Sequence, residues 1–303
     1  MEEQGFTDKI VYHIRKEEMK FKALILYYSS SGNTKKMAIE ARNVLKNMNW
    51  DVSIHNLRSY KQAIHSSDPN LIILGVPVQY WEIPDAAVRM IRTLPQFENA
   101  AGFVFSTYGK CVCNNVPYDL AIELQSKGVS ILGGAQIVMP NSSPIGENTR
   151  IGDLEESFGK GELAETNLAK YKSILHKIAK RVENRDLDEM DIDRLKDLHT
   201  RNAIAALMNI FTTADMRRGF MPQVQHDERK CTLCKKCMKL CDYQAISLSD
   251  ENKFSIDEKR CKVCYKCIAG CTKNALSTEW EQVNSGTRFI HQFSKNTETV
   301  FVT

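Results

Sequence analysis

Between Lys22 and about Arg181, short apolar runs alternate with stretches whose apolar residues recur at helical spacing. Ala23-Leu24-Ile25-Leu26-Tyr27-Tyr28 reads as a buried strand, and the polar turn Ser29 to Thr34 follows it. Met37, Ala38, Ala41, Val44 and Leu45 then mark one face of a helix. Further strands are predicted at Asp51 to Leu57, Leu71 to Leu74, Ala101 to Phe105 and Ile131 to Met139, the last ended by Pro140. Helices are predicted over Asp85 to Leu94, Tyr118 to Ser126 and Leu163 to Val182. Five β–α units imply an α/β fold, a doubly wound five-stranded parallel sheet with helices on both faces. Ligands of such a sheet are expected beyond the C-terminal strand ends.

The pattern changes after Val182. Residues 183 to 190 are mostly acidic, and Arg194 to Met216 reads as a helix with Ile204, Leu207, Met208 and Phe211 on one face. A Pro-containing polar stretch then leads into a dense run of cysteines. We divide the chain into an α/β domain at 22–184, a helical connector at 185–225, a cysteine-rich domain at 226–280 and a C-terminal tail at 281–303. Composition fits a soluble globular protein, with 43% hydrophobic and 26% charged residues. The net charge of +4 gives no argument for nucleic acid, and no apolar run approaches the roughly 20 residues that span a bilayer. The first residues are charged and lack the apolar stretch of a secretory signal, so a cytoplasmic location is expected.

Eight of the ten cysteines lie between Cys231 and Cys271. Cys231, Cys234, Cys237 and Cys241 are spaced C-x2-C-x2-C-x3-C, and Cys261, Cys264, Cys267 and Cys271 repeat that spacing 30 residues on. In a reducing compartment such density points to metal rather than disulfides. Three thiolates at intervals of three can each bind one corner of an iron–sulfur cube, while the fourth is carried away toward the other repeat. One [4Fe–4S] cluster is therefore expected on Cys231, Cys234, Cys237 and Cys271, and the other on Cys261, Cys264, Cys267 and Cys241. Structural zinc would favour two separated C-x2-C pairs. Crossed ligation makes folding of this domain depend on iron and sulfide.

This segment resembles a bacterial-type two-cluster ferredoxin, with a small α+β fold. That resemblance puts Pro after each fourth cysteine, where this chain has Asp242 and Thr272, which predicts a looser turn. Lys230, Lys235, Lys236, Lys239, Lys262 and Lys266 interleave the ligands. They are either solvated surface or a docking patch for an acidic partner.

Ser29-Ser30-Ser31-Gly32-Asn33-Thr34 turns a buried strand into a helix and offers hydroxyls and helix N-terminal N–H groups to a phosphate. A plain serine-rich N-cap is the other reading. After the third strand comes Gly75 to Pro84, with Pro77, Tyr80 and Trp81; after the fourth come Thr107, Tyr108 and Gly109. These aromatics are either core or stacking partners for a flavin ring. The region resembles flavodoxin over about 160 residues. By that resemblance Ser29, Ser31, Gly32, Asn33 and Thr34 would hold the phosphate of FMN. Tyr80 or Trp81, and Tyr108, would flank the ring, with Thr107 and Gly109 near its polar edge and Pro77 as a further cofactor-binding residue. Cys111 and Cys113 are a redox pair near the flavin or ordinary loop cysteines, and Gly159-Lys160-Gly161 lacks the rest of a dinucleotide fingerprint.

The whole chain resembles the flavodoxin–ferredoxin fusion proteins, which implies electron transfer between FMN, two [4Fe–4S] clusters and external redox partner proteins. Two further functions stay open: a flavin-dependent reductase of a quinone or small organic acceptor, and a docking or sensing protein that has lost FMN.

Overall fold

The structure, a computed structural model, describes residues 21–30, 32–60, 68–109, 113–139, 165–196, 213–251, 253–282 and 299–303. Five strands form the parallel core: β1 (Lys22–Tyr27), β2 (Asp51–Asn56), β3 (Leu71–Pro77), β4 (Ala100–Tyr108) and β5 (Val129–Val138). Their spatial order is 2-1-3-4-5. This is the flavodoxin-like doubly wound order, whose switch point lies between β1 and β3. Strands buried on both faces need continuous apolar sequence, and Leu71 to Val76 is buried throughout.

Alternating side chains feed two cores. Leu24 and Leu26 face one side with Ala86, Ala87 and Ile91 of helix α2 (Asp85–Arg92) and Leu120, Ala121 and Leu124 of α3 (Val116–Gln125). Ala23, Ile25 and Tyr27 face the other, against α1 (Asn33–Asn47) and α4 (Glu165–Glu183). On α1 the buried residues include Met37, Ala38, Ala41 and Leu45, the stripe expected from the helical period.

The sheet carries a sixth strand that the five-stranded expectation lacks. Val300–Val302 of the tail pairs antiparallel with β5, Val302 opposite Gly134. Three residues are too short to register as a strand in sequence; the edge of β5 supplies their hydrogen bonds. Residues 185 to 196, assigned in sequence to the connector, pack against the same sheet. The Met190 N–H donates to the Ile131 carbonyl, and Leu195 is fully buried. Gly134 makes room for it, since a Cβ there would lie 2.7 Å from Leu195 Cδ2. Residues 204, 207, 208 and 211 of the expected connector helix lie outside the described residues.

The cysteine-rich module is built as two matching halves. Two-stranded ribbons form from Gln225–His226 with Leu276–Ser277 and from Ile246–Leu248 with Phe254–Ile256. Short helices at Lys236–Leu240 and Lys266–Ala269 carry the third cysteine of each repeat, Cys237 and Cys267. Among the described residues no helix is long and apolar enough to cross a membrane.

Candidate cofactor sites at the strand ends and in the cysteine module

The turn after β1 is set up for an anion. Gly32 has φ 110°, a conformation only glycine adopts without strain, and its N–H donates to Ser29 Oγ at 3.0 Å. Gly32 is also the N-cap of α1, and no side chain bonds that cap. Thr34 is buried on the first turn, 2.8 Å from the hydroxyl of Thr107 at the end of β4. Hydroxyls from the first turn of α1 and the end of β4 thus meet beside a helix N-terminus, a donor set that fits a phosphate. Ser31 lies outside the described residues.

After β3 the chain makes a tight turn closed by reciprocal Gln79 and Glu82 backbone bonds of 3.0 and 3.1 Å. Its two central residues, Tyr80 and Trp81, have φ of 51° and 67°. Both values fall where type I′ turns usually place Asn or Gly, so two aromatics hold a strained conformation there. Trp81 and Tyr108 are each 6% exposed. Tyr80 points away toward the cysteine module and donates its hydroxyl to the Val263 carbonyl at 2.7 Å. Of the pair named for ring contact, Tyr80 is committed to that bond. Burial, and then the neighbouring Tyr265 and Cys264, push its hydroxyl well above the ordinary tyrosine range. Pro77 and Gly109 sit partly buried at the ends of the same two strands. Cys113 is buried with its thiol 2.9 Å from Ser106 Oγ, and burial pushes it up to about 12. It behaves as a core residue, and Cys111 lies outside the described residues.

The two cysteine repeats match in backbone as well as spacing. Leu233 and Val263, Lys235 and Tyr265, and Gln244 and Asn274 all have positive φ near 50–60°, each pair 30 residues apart. Alternating left-handed residues turn successive N–H groups inward and make an anion-binding nest, as iron–sulfur sites require. The Ala245 N–H lies 3.3 Å from Cys241 Sγ, and the Ala275 N–H lies 3.3 Å from Cys271 Sγ.

Two cavities open between the halves. Cys231, Cys234, Cys237 and Cys271 line the first; Cys261, Cys264, Cys267 and Cys241 line the second. Each wall thus takes three thiols from one repeat and the fourth from the other. Among the described residues no three His, Cys, Asp or Glu side chains converge as ligands of a single metal ion. His226 lines the first cavity, stacked on Phe254 at 3.9 Å, with a buried Nε2 that finds no hydrogen-bond partner among the described residues. Nests, separated thiols and an orphaned ring nitrogen fit an anionic sulfur-rich group with several metal corners. The cavities differ in environment. Burial, then neighbouring Cys241 and other thiols, push Cys264 up to about 12. Cys267 is likewise raised to about 12. Exposed Cys234 is lowered, chiefly by the Lys236 N–H.

Sequence reading missed the contact between the two modules. Asp242 is 7% exposed at its side chain and forms ion pairs with Arg58 after β2 and with Lys266 Nζ at 3.3 Å. It also accepts from the Tyr28 hydroxyl at the end of β1. The looser turn expected from the missing proline is therefore not what Asp242 provides: its carboxylate is anchored by three partners. Asp85 adds a bond to Lys262 at 3.3 Å, and Arg89 stacks over the Tyr243 ring. Tyr243 and Ala245 join the sheet's own core, and Cys241, Cys261 and Cys264 pack against it. Only long-range pairing shows this, since Arg58 and Asp242 are 184 residues apart.

No protein-family model matches the chain, and no curated protein matches it. Among solved structures it is similar to a flavodoxin from the domain Archaea, with 20% identity over 54% of this chain and 99% of that one at a TM-score of 0.40. Oxidised flavodoxin 1 from Bacillus cereus gives 16% identity, coverage of 52% and 97%, and a TM-score of 0.38. For rubredoxin oxygen:oxidoreductase from the anaerobe Desulfovibrio gigas the values are 18%, 58% and 41%, and 0.40, so the chain spans under half of that protein. The class itself rests on strand order: a flavodoxin-like α/β domain joined to a duplicated cysteine module.

Proposed function

We propose that the chain is an electron-transfer flavo-iron-sulfur protein of the flavodoxin–ferredoxin fusion type, holding FMN and two [4Fe–4S] clusters. The observation that carries this reading is the crossed lining of two cavities by four cysteines each, with Cys241, Cys261 and Cys264 of one set packed against the sheet's core. FMN when bound takes two electrons and releases them singly, and each cluster takes one. Ser29, Thr34, Thr107 and the α1 N-terminus would hold the phosphate, and Trp81 or Tyr108 would flank the ring. The thiolates would hold the clusters. Asp242, Arg58 and Lys266 fix the second cysteine set against the sheet, and Tyr80 ties the strand-end turn to the backbone of its C-x2-C loop. Holding the two modules together is what these contacts contribute; redox partner proteins would supply and remove the electrons.

Anaerobic purification followed by iron, sulfide and flavin determination tests the reading. About eight irons and one FMN per chain are expected. Substoichiometric dithionite should then bring the flavin absorbance and the cluster paramagnetic signal to a common equilibrium. Zinc in place of iron, no flavin, or centres that never equilibrate would each sink it.

A further inference from the structure

The lysines of the two repeats have different fates. Lys262 and Lys266 line the second cavity but are held by Asp85, Asp215 and Asp242. Lys235, Lys236 and Lys273 line the first cavity, no carboxylate lines it, and all three are exposed. With exposed Lys239 beside them, none of these four makes an ion pair with a described residue. Arg229 and Lys230 extend the patch, sharing Asp227. Within this rim Cys234 is exposed and Leu233 is 37% exposed, a small apolar spot at the mouth of the site. No residue of the first cysteine set packs against the sheet core, whereas three of the second set do.

From this asymmetry we infer that the open face around Cys231, Cys234, Cys237 and Cys271 is the docking surface for an acidic redox protein. The inference rests on the proposed cluster assignment. An oxidised cube on four thiolates adds a charge of about −2, which the six cations Arg229, Lys230, Lys235, Lys236, Lys239 and Lys273 exceed. Asp227 and Glu228 are the carboxylates of that stretch, and Asp227 is already paired. A positive rim with an apolar centre complements a partner that surrounds its own redox centre with carboxylates. Charge steers the encounter, and Leu233 gives the contact a dry middle at the mouth of the cavity that the thiols line.

The test uses anaerobically prepared full-length holoprotein and, as probe, a rubredoxin of net negative charge. Iron and sulfide are counted on every sample. Binding is measured by titration at low and high salt, and zero-length carbodiimide cross-links are mapped by mass spectrometry. The triple variant Lys236→Glu, Lys239→Glu, Lys273→Glu should keep its iron and weaken binding about tenfold or more at low salt. Cross-links should fall on these lysines in the unaltered chain, and salt should weaken its binding. Lys46→Glu with Lys177→Glu, on the helices under the other sheet face, should change little. Equal losses in both variants, binding indifferent to salt, or cross-links elsewhere would overturn the surface. Tighter capture by a 20-mer oligonucleotide or by phosphatidylglycerol vesicles would overturn the acidic-protein occupant. A chain that takes up no iron removes this inference and the cluster assignment together; an iron-loaded chain lacking charge-dependent binding removes only the surface.

Discussion

The two cysteine repeats have one spacing and one backbone, yet they occupy different worlds. Position by position, exposed Leu233 corresponds to buried Val263, exposed Lys235 to buried Tyr265, and exposed Lys236 to Lys266 at 8% exposure. Exposed Thr272 corresponds to buried Asp242. Cysteine spacing and the left-handed residues between them dictate how a loop wraps its ligand. The residues that fill the gaps decide whether that loop faces water or another domain. Val263 and Tyr265 form a small core with Met221, Val224 and Trp280, and Asp242 reaches across to the sheet. A duplicated module thereby gains an inner half and an outer half.

The largest effects should come from removing one thiol on each side. Cys264→Ser and Cys234→Ser should each lower iron to about half. Only Cys264→Ser should also loosen the sheet, because its loop carries the Val263 carbonyl that Tyr80 grips. Amide hydrogen exchange at residues 78 to 84 should rise about tenfold or more in Cys264→Ser, since a released turn opens locally. It should stay unchanged in Cys234→Ser. Equal exchange in both variants would break the inner–outer distinction.

Asp242 and Thr272 make the next comparison, at equivalent positions of the repeats. Asp242→Ala leaves Lys266 and Arg58 without their shared carboxylate and should cost about 3 kcal/mol, as when one partner of a buried ion pair is removed. Thr272→Ala at an exposed site should stay within about 0.5 kcal/mol. Anaerobic urea titration of both holoproteins, followed by tryptophan fluorescence, measures the difference.

How much of this could be read from the sequence depends on the range of the interaction that fixes each feature. The runs at Ala23 to Tyr27 and Leu71 to Leu74 announced buried parallel strands because both faces of such a strand must be apolar. That four cysteines share each cavity could be anticipated in part, because three of each group lie within seven residues. Val300–Val302 was not, because its strand character comes from β5. Nor was the turn at Tyr80 and Trp81, whose residue types argue against positive φ. Asp242 looked like an absent proline when only its neighbours were visible, since Tyr28, Arg58 and Lys266 approach it through the fold.

The smallest effect probes the hydrogen bond from Tyr80 to the Val263 carbonyl, which joins the strained turn to the inner repeat. Tyr80→Phe keeps the ring beside Arg218, which stacks over it at 5.8 Å, and deletes only the donor to Val263. The carbonyl left behind is partly buried, so the loss should be about 1 kcal/mol. Two aromatics at positive φ persist only while surrounding contacts hold them there. Releasing one contact should therefore let the turn relax, while the outer repeat, whose Leu233 has no such partner among the described residues, reports nothing. The expected signature is a lower midpoint of urea unfolding together with faster exchange at residues 79 to 82, and unaltered exchange at 231 to 237. If exchange instead rises equally in both C-x2-C loops, the two halves of the module respond as one body and the sheet does not distinguish them.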